Sequence, residues 1–239
     1  MDWPEIKKVL LVTWDFIWND NSIWSWIANV LLAFVIIKFL VYPGLGLLFG
    51  TGFPIVAVVS GSMEHNSAER CVDYEKASFL GYEYKKCKNY EYDMCGKKYS
   101  EKRHFSLDEY WSECGEWYGS NTKITLDDFN DFRFKNGFNK GDIMVLMGKK
   151  PQDINIGEII VFQSKRPDPI IHRVVLKGSD ASGYHFYTKG DHNKQAIKSS
   201  LLDETDIHES QLLGKAVLRI PYLGYVKIWF VELLQLLTF

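Results

Sequence analysis

Hydrophobic and polar positions are unevenly spread along the chain. From Trp24 to Gly50 run 27 residues with a single charge, Lys38, and fifteen Leu, Ile, Val or Phe residues fall between Ile27 and Phe49. At roughly −0.3 to −0.6 kcal/mol each, these outweigh the roughly +2.5 to +3.5 of one central lysine, so the pattern predicts a transmembrane helix. Residues 23–50 are therefore read as an anchor. A cleaved leader would be shorter and followed by small residues. Pro43, Gly44 and Gly46 are expected to bend or end the helix. Ahead of it, Asp2 and Pro4 open a helix to Trp18, and 1–22 are assigned to a membrane-proximal segment whose tryptophans suit an interface.

Past the anchor, short apolar runs of strand length recur at 53–59, 142–148, 158–164, 170–176, 184–188 and 215–220. They are rich in β-branched residues and separated by turn signals such as Lys140-Gly141-Asp142 and Lys189-Gly190-Asp191. The fold class is accordingly mainly β: an antiparallel domain built from 51–64 and 139–221 on an N-terminal transmembrane helix. The final stretch, 222–239, is apolar but short. Its polar residues gather on one arc, which favours an interfacial helix over a second span.

Between the first strand and the rest lies a polar, aromatic segment, 65–138, read as an inserted α-containing subdomain. Ser106-Leu-Asp-Glu109 and Thr125-Leu-Asp-Asp128 each place a hydroxyl three residues before an acid, predicting helices over 106–118 and 125–132. Strand-like content is thin. Cys71, Cys87, Cys95 and Cys114 all fall in this segment. Their even number suits two disulfides in any of three connectivities, against free thiols or, less well without a CxxC pair, zinc. Bridged cysteines would put this part of the chain outside the cytoplasm. Trp111, Trp117, Tyr110 and Phe105 suggest contact with lipid headgroups or a cover over a cleft.

Composition narrows the function. Of 239 residues, 46% are apolar and 24% charged, with a formal net charge of −2, which excludes global disorder and opposes a nucleic-acid binder. Candidate chemistry sits at three places. Ser60-Gly61-Ser62-Met63 follows the first strand, His172 interrupts the apolar Ile171–Val175 run, and Asp191 lies in a glycine turn. Each has an ordinary structural explanation alone. Together they supply a nucleophile, a base and an orienting acid from separate strands, as acyl transfer requires.

In order, SGSM, GDIMVL, IHRVV and TKGD behind an anchor helix resemble the motif blocks of type I signal peptidases. Bacterial members carry a lysine where His172 stands, so the chain resembles the archaeal and endoplasmic-reticulum branch. The resemblance implies a membrane-bound serine endopeptidase with Ser62 as nucleophile, His172 as base, and Ser60 with Ser62 at the oxyanion. It implies preprotein signal peptides as substrates and no cofactor or metal. The bilayer and possible translocation machinery are the implied partners, at the plasma membrane with the catalytic domain extracytoplasmic. Strand 53–59, with Pro54, Val56, Val58 and Met63, would wall a pocket for small residues. His65 stands where this family commonly has proline.

The third acid is open: Asp191 is the first expectation, with Asp203 and Asp206 as alternatives. His104, His185, His192 and His208 are read as surface or packing residues. A catalytically silent, membrane-tethered binding protein displaying the insert is the competing reading. A self-cleaving repressor is opposed by the anchor and by His172.

Overall fold

The structure is a computed structural model that describes residues 2–79, 82–226, 228 and 229; most of the 222–239 segment lies outside these. It divides into two compact units, Met1–Gly52 and Phe53–Phe239.

In the first unit, α1 (Trp3–Trp18) is followed by α2 (Ile23–Ile36), a wide π-type turn (Ile37–Val41) and α3 (Tyr42–Phe49). Ser22 caps α2 by accepting the Ser25 N–H. The Ser25 hydroxyl and the Asn29 amide donate to the carbonyls of Phe16 and Ile17, at 2.6 and 2.8 Å. Side chains of α2 thus satisfy carbonyls that the end of α1 leaves open. The helical stretch Ile23–Phe49, 27 residues of mean hydropathy 2.2, is long and apolar enough to cross a membrane. Pro43 does not end it. Proline lacks an N–H and its ring crowds the carbonyl four residues back, and the widened turn over Ile37–Val41 makes room for both defects. The helix stops only at Gly50, whose φ of 65° is the left-handed conformation glycine adopts freely.

The second unit is built on a seven-stranded antiparallel sheet in the order β1-β5-β10-β6-β7-β8-β9. Its strands are β1 (Ile55–Ala57), β5 (Ile143–Met147), β6 (Ile159–Phe162), β7 (Ile170–Asp180), β8 (Gly183–Lys189), β9 (Ile207–His208) and β10 (Leu212–Ile220). The mainly β architecture read from the sequence is the one observed. Both faces of the sheet are covered, because alternate residues of one strand enter different cores. Ile159 and Val161 pack with Val58, Met63, Phe138 and Leu146. Ile160 and Phe162 pack with Val174, Phe186 and Leu202.

The insert holds more strand than its composition suggests. β2 (Ala68–Phe79) and β3 (Tyr82–Met94) form a long hairpin, and β4 (Lys97–Tyr99) adds a third strand. This corrects the expectation of thin strand content. The ladder is assembled from polar and aromatic residues that show no apolar alternation, so periodicity cannot reveal it. The helices α4 (Leu107–Asn121) and α5 (Leu126–Asp131) do carry full capping boxes on Ser106 and Thr125. Disulfides join Cys71 to Cys87 and Cys95 to Cys114. Tyr110 and Phe105 are buried, while Trp111 and Trp117 pack against the same core of Met94, Cys114, Tyr118 and Phe129. The aromatic residues expected at lipid or over a cleft are therefore largely core, packed together with Val175 of β7 and Tyr187 of β8.

Candidate active site

Two strands and one turn deliver the first pair of residues. β1 leads into the turn Ser60–Glu64, closed by the Glu64 N–H donating to the Gly61 carbonyl at 3.0 Å. The turn is tied to its surroundings by the Met63 carbonyl, which accepts from Phe138 N–H at 3.1 Å, and by Glu64, whose carboxylate accepts from Lys140 N–H at 2.8 Å. On β7, His172 and Arg173 are neighbours, so their side chains leave opposite faces of the strand. His172 meets Ser62: its Nε2 lies 2.8 Å from Ser62 Oγ. Ser60 Oγ is 3.1 Å from Ser62 Oγ.

The other imidazole nitrogen, Nδ1, contacts the carboxylate of Glu204. Glu204 is fully buried. It also accepts from the Thr188 hydroxyl at 3.1 Å and from Ile197 N–H at 2.7 Å. A carboxylate offers only acceptors, so Nδ1 carries the proton and Nε2 is left bare toward the serine hydroxyl. Serine, histidine and glutamate thus form one hydrogen-bonded chain.

Asp191, the acid expected in this position, is engaged elsewhere. Arg173 grips it in two places, Nε to Oδ1 at 2.8 Å and a terminal nitrogen to Oδ2 at 2.6 Å. His65 Nε2 lies 3.2 Å from the same Oδ2, and the Tyr118 hydroxyl donates to Oδ1 at 3.4 Å. Burial would raise the Asp191 carboxyl, but the Arg173 charge and hydrogen bonds, with His65, outweigh it and hold it well below the usual carboxylate range. Burial lowers His65, only partly opposed by Asp191. It also brings the Lys189 amine down to about 8. The Lys189 ammonium lies over the rings of Trp117 and Tyr118, 5.2 and 5.0 Å from their centroids.

Asp203 and Asp206 are also occupied. Asp203 accepts from Thr205 N–H and hydroxyl at 2.9 and 2.6 Å, and Asp206 pairs with His185 at 2.6 Å. Glu204, between them, is the residue that sequence reasoning missed. The only signal for it was an acid at a spacing shared with two aspartates.

Ser62 and His172 open onto a cleft of about 430 Å³ lined by Val58, Val59, Ser60, Ile171 and the segment Arg166–Ile170, among others. Of the four expected wall residues, Val58 is there. Met63 is completely buried and its sulfur accepts Asp191 N–H at 3.4 Å, so it packs behind the turn rather than facing a substrate. Pro54 is buried, and Val56 packs against the core containing Val58 and Met144.

No protein-family model matches the chain. Among curated proteins it is similar to the signal peptidase complex catalytic subunit SEC11 of Pyricularia oryzae, with 33% identity over 98 residues, 40% of this chain and 57% of that protein. The subunit of the same name from Colletotrichum graminicola is 33% identical over 94 residues, 38% of this chain and 55% of that protein. That of Pyrenophora tritici-repentis is 33% identical over 102 residues, 38% and 54% respectively. The chain spans just over half the length of these relatives. By sequence, then, it is similar to the catalytic subunits of signal peptidase complexes, through a match covering about two-fifths of its length.

Proposed function

We propose that this chain is a membrane-bound serine endopeptidase that removes signal peptides from preproteins. The observation that carries the reading is the Ser62–His172–Glu204 chain of hydrogen bonds at the edge of a cleft. A serine hydroxyl is a weak nucleophile near neutral pH until a neighbour takes its proton. His172 Nε2 accepts that proton as Ser62 Oγ adds to the scissile carbonyl, and Glu204 stabilises the imidazolium through Nδ1–H. The proton then passes to the departing amine, leaving the signal peptide's carbonyl esterified to Ser62. Water, activated by the same imidazole, hydrolyses the ester. The Ser60 hydroxyl, beside Ser62 Oγ, would donate to the oxyanion, worth about 3 kcal/mol in comparable sites.

β1 is an edge strand of the sheet, which supports pairing of an extended cleavage segment alongside it. A substrate and an enzyme both held in a bilayer meet at raised effective concentration. Two disulfides favour an oxidising compartment, so the second unit would face away from the cytoplasm. The motif blocks, which resemble the archaeal and endoplasmic-reticulum branch, support a membrane location, taken in this proposal as the plasma membrane. The names of these relatives refer to a complex, and partner subunits are part of this proposal.

Detergent-solubilised full-length protein incubated with a preprotein tests it. Wild type should cut at the signal-peptide junction, while Ser62→Ala and His172→Ala should not. Cleavage by Ser62→Ala at the wild-type rate would overturn the assignment.

A further inference from the structure

The loop Gly190–His192 is held from two sides. Toward the candidate site, Gly190 lies so close that a Cβ built on it would stand 2.7 Å from the Ser62 carbonyl oxygen and 2.9 Å from His172 Nε2. His192 N–H donates to the same Ser62 carbonyl at 2.9 Å. On the far side the loop meets the insert. The Tyr110 hydroxyl donates to the Asp191 carbonyl at 3.0 Å, and Cys95 N–H donates to the His192 carbonyl at 3.0 Å.

Tyr110 and Cys95 are not independent. Tyr110 lies on α4 one turn before Cys114, to which Cys95 is bridged. Cys95 occupies the two-residue turn between β3 and β4 with φ of 51°, uncommon for a residue with a side chain, and this conformation is used to send its N–H to the loop and its sulfur to α4. The Tyr110 ring is further fixed by stacking on His65 at 3.8 Å and 5°, and His65 follows the Ser62 turn in sequence. Arg173 and Met63, from the motif blocks, also hold Asp191, but Tyr110, Tyr118, Cys95 and Cys114 all come from the insert, so part of the loop's support lies outside those blocks.

We propose that the insert sets turnover by clamping this loop, with Tyr110 and the Cys95–Cys114 bridge as positioning elements for Ser62 and His172. This rests on the endopeptidase reading above for its kinetic consequence. The structural part, control of the loop by the bridge, does not need cleavage to be measured.

The experiment compares full-length wild type, Cys95→Ala/Cys114→Ala, Cys71→Ala/Cys87→Ala and Tyr110→Phe. Preprotein cleavage gives kcat and KM, and deuterium exchange reports on residues 188–194. Loss of the Cys95–Cys114 bridge should lower kcat by about tenfold to a hundredfold with little change in KM. It should also speed exchange at 190–193 by about tenfold. Loss of Cys71–Cys87 should change neither. Tyr110→Phe keeps the ring and the bridge, and should lower kcat several-fold with a wild-type melting temperature.

Unchanged exchange and unchanged kcat without the Cys95–Cys114 bridge would overturn the inference. If that double variant fails to fold, Tyr110→Phe decides, and a wild-type kcat there overturns it equally. Were wild type inert toward preproteins, the endopeptidase reading would fall while the exchange comparison still decided the clamp.

Discussion

Of the three neighbouring acids Asp203, Glu204 and Asp206, it is Glu204 whose carboxylate meets His172. Asp203 and Asp206 flank Glu204, and each is spent on a nearby partner, Thr205 or His185. Glu204→Gln should therefore lower turnover by roughly 10²- to 10⁴-fold, as removal of the orienting charge does in comparable triads. Asp203→Asn should stay near wild type in the same cleavage assay. Asp191→Asn should act on stability instead. It unpairs a wholly buried Arg173 and should cost about 3–5 kcal/mol of stability, visible as a lower melting temperature. An Asp191→Asn protein with a wild-type melting temperature and much reduced kcat would restore Asp191 as a direct partner of the chemistry. The meeting of Ser62 with His172 was legible in the sequence because each sits in a recognisable block, one after a strand and one within it. Glu204 was not, because it lies in irregular chain where nothing distinguishes three acids until the fold aims one.

Among the secondary-structure elements, what was legible followed the strength of the local signal. Both capping boxes gave their helices to within a few residues, since the hydroxyl and acid act on the backbone of the same turn. The strands β5 to β8 and β10 announced themselves as apolar runs. The β2–β3 hairpin did not, since it relies on cross-strand pairs such as Glu75 with Lys86 and on the Cys71–Cys87 bridge instead of a buried face. The Gly190 turn was read as a turn, yet its closeness to Ser62 and His172 is a tertiary fact. Gly190→Ala should lower cleavage by about a hundredfold, because the added carbon has room only if the Ser62 carbonyl, the Asn193 amide and the imidazole all give way. Circular dichroism and melting of that variant should remain near wild type; equal cleavage by the two proteins would mean the loop yields without disturbing the pair.

Over the whole molecule, buried ionisable groups link stability to acidity. Asp191 is held below its ordinary range, so its contribution is complete above about pH 4 and is lost as pH falls further. His65 is lowered from 6.5, which means the folded chain resists protonation there and loses stability as pH drops below that value. The two effects have the same sign. His185, raised by its Asp206 hydrogen bond, works in the opposite sense to His65, so chemical unfolding of the full chain in detergent should show its clearest loss of stability below about pH 4. Stability that stays flat between about pH 5 and 3 would show that Asp191 is not held as described. The mainly β fold and the long apolar helix near the N-terminus were both readable in advance, since each imposes a hydrophobic pattern on the sequence. The contacts through which the insert reaches the Gly190 loop were not, since they join distant segments through two backbone carbonyls.

The two disulfides also alter what a protease could do to this protein. Cys71–Cys87 closes a loop of separation 16 and Cys95–Cys114 one of 19, and the first loop contains the exposed Lys76 of the hairpin. A single backbone cut inside either loop leaves the two new ends joined through sulfur. The hairpin can thus be nicked without shedding a fragment, and the cut would separate into pieces only after reduction.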